Sequence, residues 1–198
     1  MPVGDQRNPG LFVASDGDRE LLEYGLGLCK VGAVTLILGM SKPEGIYVSV
    51  DYRVSNSQTG EKLDEASVKF LTIHYPPEKE GVKALFAYTG LAQLPDGTPV
   101  GVWLRQTLRG QTEVPDVSMH HLHQRLNRDL ARYRVALIVN ILAVQGDRRF
   151  AGGFTNVKSD GSIAPRFEYV MQEPTEPSVF VNGSGTARVV ADGHLWRQ

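Results

Sequence analysis

The sequence predicts an α+β fold in which antiparallel sheets are covered by helix pairs, stacked as a layered sandwich. Three observations predict it. Apolar and polar residues alternate along several short runs, as strands with one buried face require. Two helical patterns stand side by side in the middle of the chain instead of alternating with strands. Strand patterns then return, so the order is strands, helix pair, strands, helix, which does not fit a doubly wound parallel sheet.

Residues 1–34 are set apart. MPVGDQRNPGLFVASDGDRE is rich in Pro, Gly, Asp and Arg around the apolar triplet Leu11-Phe12-Val13, and Gly25 and Gly27 weaken any helix in Glu20–Lys30. This segment reads as a leader, and residues 35–198 as the folded domain. Thr35–Met40 and Gly45–Val54 are predicted strands of a hairpin joined by the loop SKPEG. On the second strand Ile46, Val48, Val50, Tyr52 and Val54 share one face; Tyr47, Ser49, Asp51, Arg53 and Ser55 share the other. The loop pairs Met40 with Ile46 and, counting back, Thr35 with Asp51, so Thr35, Asp51 and Arg53 are expected on one side of the hairpin.

A polar connection, NSQTGEKLDEAS, leads to strands at Val68–Tyr75 and Lys83–Thr89, separated by PPEKEG. Lys69 falls on the otherwise apolar face of Leu71, Ile73 and Tyr75, where a lysine either snorkels or sits beside a carboxylate. In the first central helix Thr98 is the expected cap and Pro99 the first helical residue, with Val100, Trp103, Leu104 and Leu108 on one face. The second is expected to start near Ser118, with Met119, Leu122, Leu126, Leu130 and Tyr133 at three- and four-residue steps. The two helices are expected to pack as an antiparallel pair on an outer layer. Strands come next at Val135–Val144, Arg149–Val157, Phe167–Met171 and Ser178–Val181, and Asn182-Gly183-Ser184-Gly185 opens a last short helix. Gly152-Gly153, read from the residues alone, marks a bulge.

Composition excludes several functions. Of 198 residues 41% are hydrophobic, enough for one core, and 21 basic residues balance 22 acidic ones. No basic block offers a track for phosphates, so nucleic acid is not an expected partner. The single cysteine, Cys29, allows neither an intrachain disulfide nor a cysteine metal cluster. The longest mostly apolar run, Val31–Met40, is half of the roughly 20 residues a transmembrane helix needs, and no signal-peptide pattern opens the chain. A cytoplasmic protein without membrane contact is the expectation. His120, His121 and His123 lack the i, i+4 spacing of a zinc-protease helix and read as a solvated helix start, so no metal or other cofactor is expected.

The stretches TLILGMSKPEGIYVSVDYRVS, ASVKFLTIH, FAYTGLA and VNGSGTARV resemble the proteasome β-subunit-like branch of the N-terminal nucleophile hydrolases. In that family the mature chain begins at a Thr, and an Asp-x-Arg lies sixteen residues on. A Lys comes in the next strand, a Gly after the fourth, and a Gly-Ser-Gly before a late helix. Thr35, Asp51, Arg53, Lys69, Gly90 and Gly183-Ser184-Gly185 fall in that order, with sixteen residues from Thr35 to Asp51. The resemblance runs from Thr35 to about Arg188. It implies a four-layer αββα sandwich of two antiparallel sheets flanked by helices, C-terminally short because the family continues through further helix and strand. The loop LAQLPDG, between Gly90 and the first helix, departs from the family, whose members enter that helix at once.

The resemblance also implies a threonine-nucleophile amidohydrolase acting on amide or peptide bonds. A hydroxyl is a weak nucleophile and needs a base; the α-amine of an exposed Thr35, with a pKa of about 7.7–8.0, would serve. Lys69 would keep that amine neutral, and Asp51 would orient Lys69 in an ion pair beneath the Thr35 hydroxyl. The Gly90 N–H would stabilise the oxyanion, and Ser184 would bond near the terminal amine. Arg53 and Ser55 would border the substrate pocket. Thr35 must then become the first residue, by self-cleavage or by initiation at Val34. The implied partners are a peptide or amide substrate and further copies of the chain in a ring. The alternatives are a catalytically silent proteasome-like scaffold or assembly protein, and a generic α+β binding module.

Overall fold

The computed structural model describes residues 36–42, 45–51, 54–55, 62–64, 68–94, 96–110, 114–158, 160–174 and 178–183. Strands β1 (Leu36–Lys42) and β2 (Gly45–Val50) form the expected hairpin, and β10 (Ser178–Gly183) pairs antiparallel with the other edge of β1. Alternation works as the sequence requires. Ile37, Gly39 and Ser41 are buried, Ile46, Val48 and Val50 turn inward, and Tyr47 and Ser49 are exposed.

The register differs from the expected one by a single residue. Met40 faces Tyr47, Ser41 faces Ile46 and Lys42 faces Gly45, so the strands run further toward the turn and only residues 43–44 connect them. A loop made of all five residues of SKPEG would set the partners one position off. The Asp51 N–H donates to the Leu36 carbonyl (2.9 Å), so Leu36 rather than Thr35 lies across from Asp51. Thr35 itself lies outside the described residues. A second difference comes after Asp51. The predicted strand does not run on to Val54; instead β3 (Val54–Ser55) pairs with β4 (Lys62–Asp64) in a separate ladder, so part of the polar connection is strand.

The larger sheet is antiparallel throughout, in the order β5 (Phe70–His74), β6 (Lys83–Gly90), β7 (Leu137–Gln145), β8 (Arg148–Val157) and β9 (Ile163–Gln172). The excursion between β6 and β7 carries both helices, α1 (Val100–Leu108) and α2 (Pro115–Arg125). Pro99 rather than Thr98 occupies the cap of α1, while the Thr98 N–H turns back to the Asp96 carboxylate (2.9 Å). Helix α2 begins three residues before Ser118, because Pro115 supplies a preorganised first turn. It continues through a π-helical turn, Leu126–Leu130, and a 3₁₀ turn, Ala131–Tyr133.

Two clusters of apolar side chains lie on opposite faces of the five-stranded sheet. On one, Phe86, Tyr88, Val139, Ile141, Phe154 and Phe167 meet Val100, Trp103, Leu104, Leu108, Leu122, Leu126 and Leu130 of the helical segment. The helix face expected from the sequence is therefore covered within the chain; each such leucine contributes roughly 1.5–3 kcal/mol. On the other, Ile37, Ala87, Leu142 and Ala151, flanked by Ile46, Val48, Val50, Phe70 and Leu85, join the two sheets. The described residues thus form helices, a five-stranded sheet and a three-stranded sheet, in that order. The helix expected from Asn182 does not begin there, since Asn182 and Gly183 close β10; residues 184–198 lie outside the described residues.

Gly152 and Gly153 sit in regular pairing, not at a bulge; the irregularity of β8 falls between Thr155 and Val157. An added Cβ would come within 2.1 Å of the Val170 carbonyl oxygen at Gly152 and 2.0 Å of the Val139 oxygen at Gly153. The close approach they permit is between neighbouring strands of one sheet.

Candidate functional site

Of the residues singled out by sequence, Asp51, Lys69, Gly90 and Gly183 are placed. Thr35, Arg53 and Ser184 lie outside the described residues, as does the side chain of Ser55 in β3. The geometry around Leu36, the residue after Thr35, is defined by backbone pairing on both sides. Asp51 donates to it from the end of β2, and Gly183 faces it from the end of β10. The chain entering β1 is therefore bracketed by the carboxylate-bearing residue and the first glycine of the Gly-Ser-Gly motif.

Lys69 and Gly90 occupy one end of the larger sheet. The Lys69 carbonyl accepts from the Tyr88 N–H (3.0 Å), two residues before Gly90. Lys69 is 3% exposed while the adjacent Val68 is 49% exposed, so the chain turns its lysine inward and leaves the valine out. A buried ammonium is tolerated only when compensated, and neither Lys69 nor the half-buried Asp51 lacks an interaction partner.

Gly90 has φ +100°, and an added Cβ would lie 2.2 Å from the Ala136 carbonyl oxygen. The next residue, Leu91, donates to that same oxygen (2.9 Å). Backbone packing alone therefore demands glycine here, whatever its N–H does in chemistry.

The face of the large sheet that meets the small one changes character along its length. Leu85, Leu142 and Ala151 are apolar. Nearer Gly90 come Asn140 and the row Thr89–Ile138–Thr155, with both threonines buried. Asn182 of β10 donates from Nδ2 to Oδ1 of Asn140, linking the sheets through two buried amides. Among the described residues the Asn140 Nδ2 has no hydrogen-bond partner. Sequence reasoning singled out none of these amides and threonines, because a lone Asn or Thr in a strand carries no spacing signal.

A second polar region lies on the helical side. His123 donates from Nε2 to the Phe167 carbonyl (2.8 Å), which serves the fold rather than a metal. His120 bonds to Gln124, one turn on (2.8 Å). Among the described residues no group of three or more His, Cys, Asp or Glu side chains is placed to hold a metal ion. Below the π turn a cavity of about 880 Å³ is lined by His121, Arg125, Arg128, Arg132, Arg134 and Arg166, among others. Its signal was present in RLNRDLARYR, four arginines in ten residues, but near-neutral composition concealed it.

No protein-family model matches the chain, and no curated protein matches it. Among the described residues no helix is long and apolar enough to cross a membrane.

Proposed function

We propose that this protein is a threonine-nucleophile amidohydrolase acting on amide or peptide bonds once Thr35 carries a free amine. The observation that supports this reading is the bracketing of Leu36 by Asp51 and Gly183. A nucleophile one residue upstream would emerge between an Asp and the Gly-Ser-Gly motif. In the mechanism, the Thr35 amine takes the hydroxyl proton as Oγ1 attacks the substrate carbonyl; the tetrahedral adduct collapses as that proton passes to the departing amine, and water then hydrolyses the acyl-enzyme ester. Lys69 keeps the amine neutral and lowers the cost of the developing alkoxide; Asp51 balances Lys69. The Gly90 N–H donates to the oxyanion, and Ser184 holds the amine. Arg53 and Ser55 border the substrate pocket, and the copies of the chain assemble as a ring. The αββα sandwich of this reading adds a helical layer on the outer face of the β10-β1-β2 sheet.

A catalytically silent proteasome-like scaffold is the second reading, favoured by two observations. The hairpin register puts Leu36, not Thr35, across from Asp51, and Gly90 is required by the Ala136 contact without any oxyanion. The deciding experiment expresses a chain whose Thr35 directly follows the initiator, confirms the terminus by intact mass, and compares it with Thr35→Ala on a panel of peptide amides. Turnover by the free-Thr35 protein alone is the expected result. Equal rates for the two proteins would leave the scaffold reading standing.

A further inference from the structure

We propose that the arginine-lined cavity beside the π turn binds a small, multiply charged phosphate-bearing molecule. Its walls are held in place before any ligand arrives. The Asn127 side chain accepts from the Phe167 N–H (2.9 Å) and donates to the His123 carbonyl (3.1 Å), and His123 bonds to the Phe167 carbonyl (2.8 Å). These bonds fix the helical wall against the start of β9, where Pro165, Arg166 and Phe167 form the other wall.

Among the described residues the charge on these walls is not balanced. Arg125 and Arg128 both donate through Nε to Asp129, at 2.7 Å each. One carboxylate is thus shared by two guanidiniums whose terminal amino groups remain available. Burial pushes the Asp129 carboxyl up, but the bonds and charges of Arg128 and Arg125 outweigh it and hold the group ionised below its ordinary pKa. Arg132 lies over the Tyr133 ring (4.8 Å) and donates to its hydroxyl (2.7 Å), which fixes its guanidinium. Among the described residues no carboxylate pairs with Arg132, Arg134 or Arg166. Among the described residues the five guanidiniums thus share one carboxylate, and a polyanion supplies the charge that balances the rest.

Phosphate is the anion this arrangement suits. Planar guanidiniums give paired, directional donors to phosphate oxygens, and five are gathered here without a lysine among the lining residues. About 880 Å³ exceeds the needs of one inorganic phosphate and falls within the range of small-molecule sites. A metal cation is repelled by the same charges. A nucleic-acid strand would need a basic track extending from the cavity, and the chain as a whole has a net charge of −1.

The test is calorimetric titration of the full chain with inorganic pyrophosphate at low ionic strength. Saturable one-to-one binding that weakens with added salt is expected. Arg134→Gln combined with Arg166→Gln should weaken it by at least about tenfold. Both side chains are exposed, and an unchanged thermal midpoint would establish that the double variant is folded. Arg148→Gln, which removes an exposed arginine paired with Glu173 outside the cavity, should leave the affinity as it was. The proposal is overturned by the absence of saturable binding, or by equal weakening in Arg148→Gln. Tight binding of a single-stranded oligonucleotide that excess pyrophosphate does not displace would overturn it too, and would assign the surface to nucleic acid.

Discussion

Gly90 illustrates how one residue serves backbone geometry and, on the hydrolase reading, chemistry at once. It closes β6 with φ +100°, beside the Ala136 carbonyl. Any side chain must adopt a left-handed conformation and displace the start of β7. Gly90→Ala is accordingly expected to destabilise the protein by at least about 2–3 kcal/mol, read as a lowered urea midpoint. A midpoint within error of the parent would mean that the strand end relaxes freely. The consequence for mechanism is direct: lost turnover in Gly90→Ala does not by itself identify an oxyanion donor. Lys69 was legible at this scale for a different reason. A lysine on a run of Leu, Ile and Tyr conflicts with its surroundings, and such conflicts mark sites where burial is compensated; it is indeed 3% exposed.

At the scale of elements, the joint between α2 and β9 is the feature the sequence left unread. Among the described residues β9 is an edge strand, and an edge exposes unpaired backbone groups. The Phe167 N–H and carbonyl are instead satisfied by Asn127 and His123, four residues apart on the helical segment. Removing Asn127 leaves a largely buried amide without its acceptor. Asn127→Ala is expected to cost about 1–3 kcal/mol and to speed hydrogen exchange at the Phe167 amide selectively. Unaltered protection there would show that water or another group replaces the amide. The helices themselves were legible because period and burial agree: Leu122, Leu126 and Leu130 are all buried as their spacing demands. The π turn was not, since Leu126-to-Leu130 spacing reads alike in either helix. Register failed for a related reason. SKPEG contains loop residues, but Ser41, Lys42 and Gly45 join the ladder, and only pairing energy, not composition, decides where a tight hairpin turns.

At the scale of the molecule, element order revealed the two antiparallel sheets and a helical face, whereas the contents of the interface between the sheets were hidden. That interface depends on which strands face each other across roughly 10 Å, and nothing local encodes this. Its most consequential members are Asn140 and Asn182, both at most 4% exposed and bonded to each other between the two sheets. The pair is poorly satisfied, because among the described residues Asn140 Nδ2 has no partner. An unmade buried bond costs more than a made one returns, so single and double replacements should behave differently. Asn182→Leu strands the remaining amide and is expected to lower stability by about 1–3 kcal/mol. Asn140→Leu with Asn182→Leu removes both polar groups, leaves two residues of similar volume, and should cost less than the sum of the single changes by about 1 kcal/mol or more. A double-mutant cycle from denaturant melts measures that difference. Strict additivity would mean that the two amides do not act together. Coupling with little net loss in the double variant would give the amides a role other than stability, as polar groups kept between Ile37 of β1 and Ala87 of β6, their strand partners.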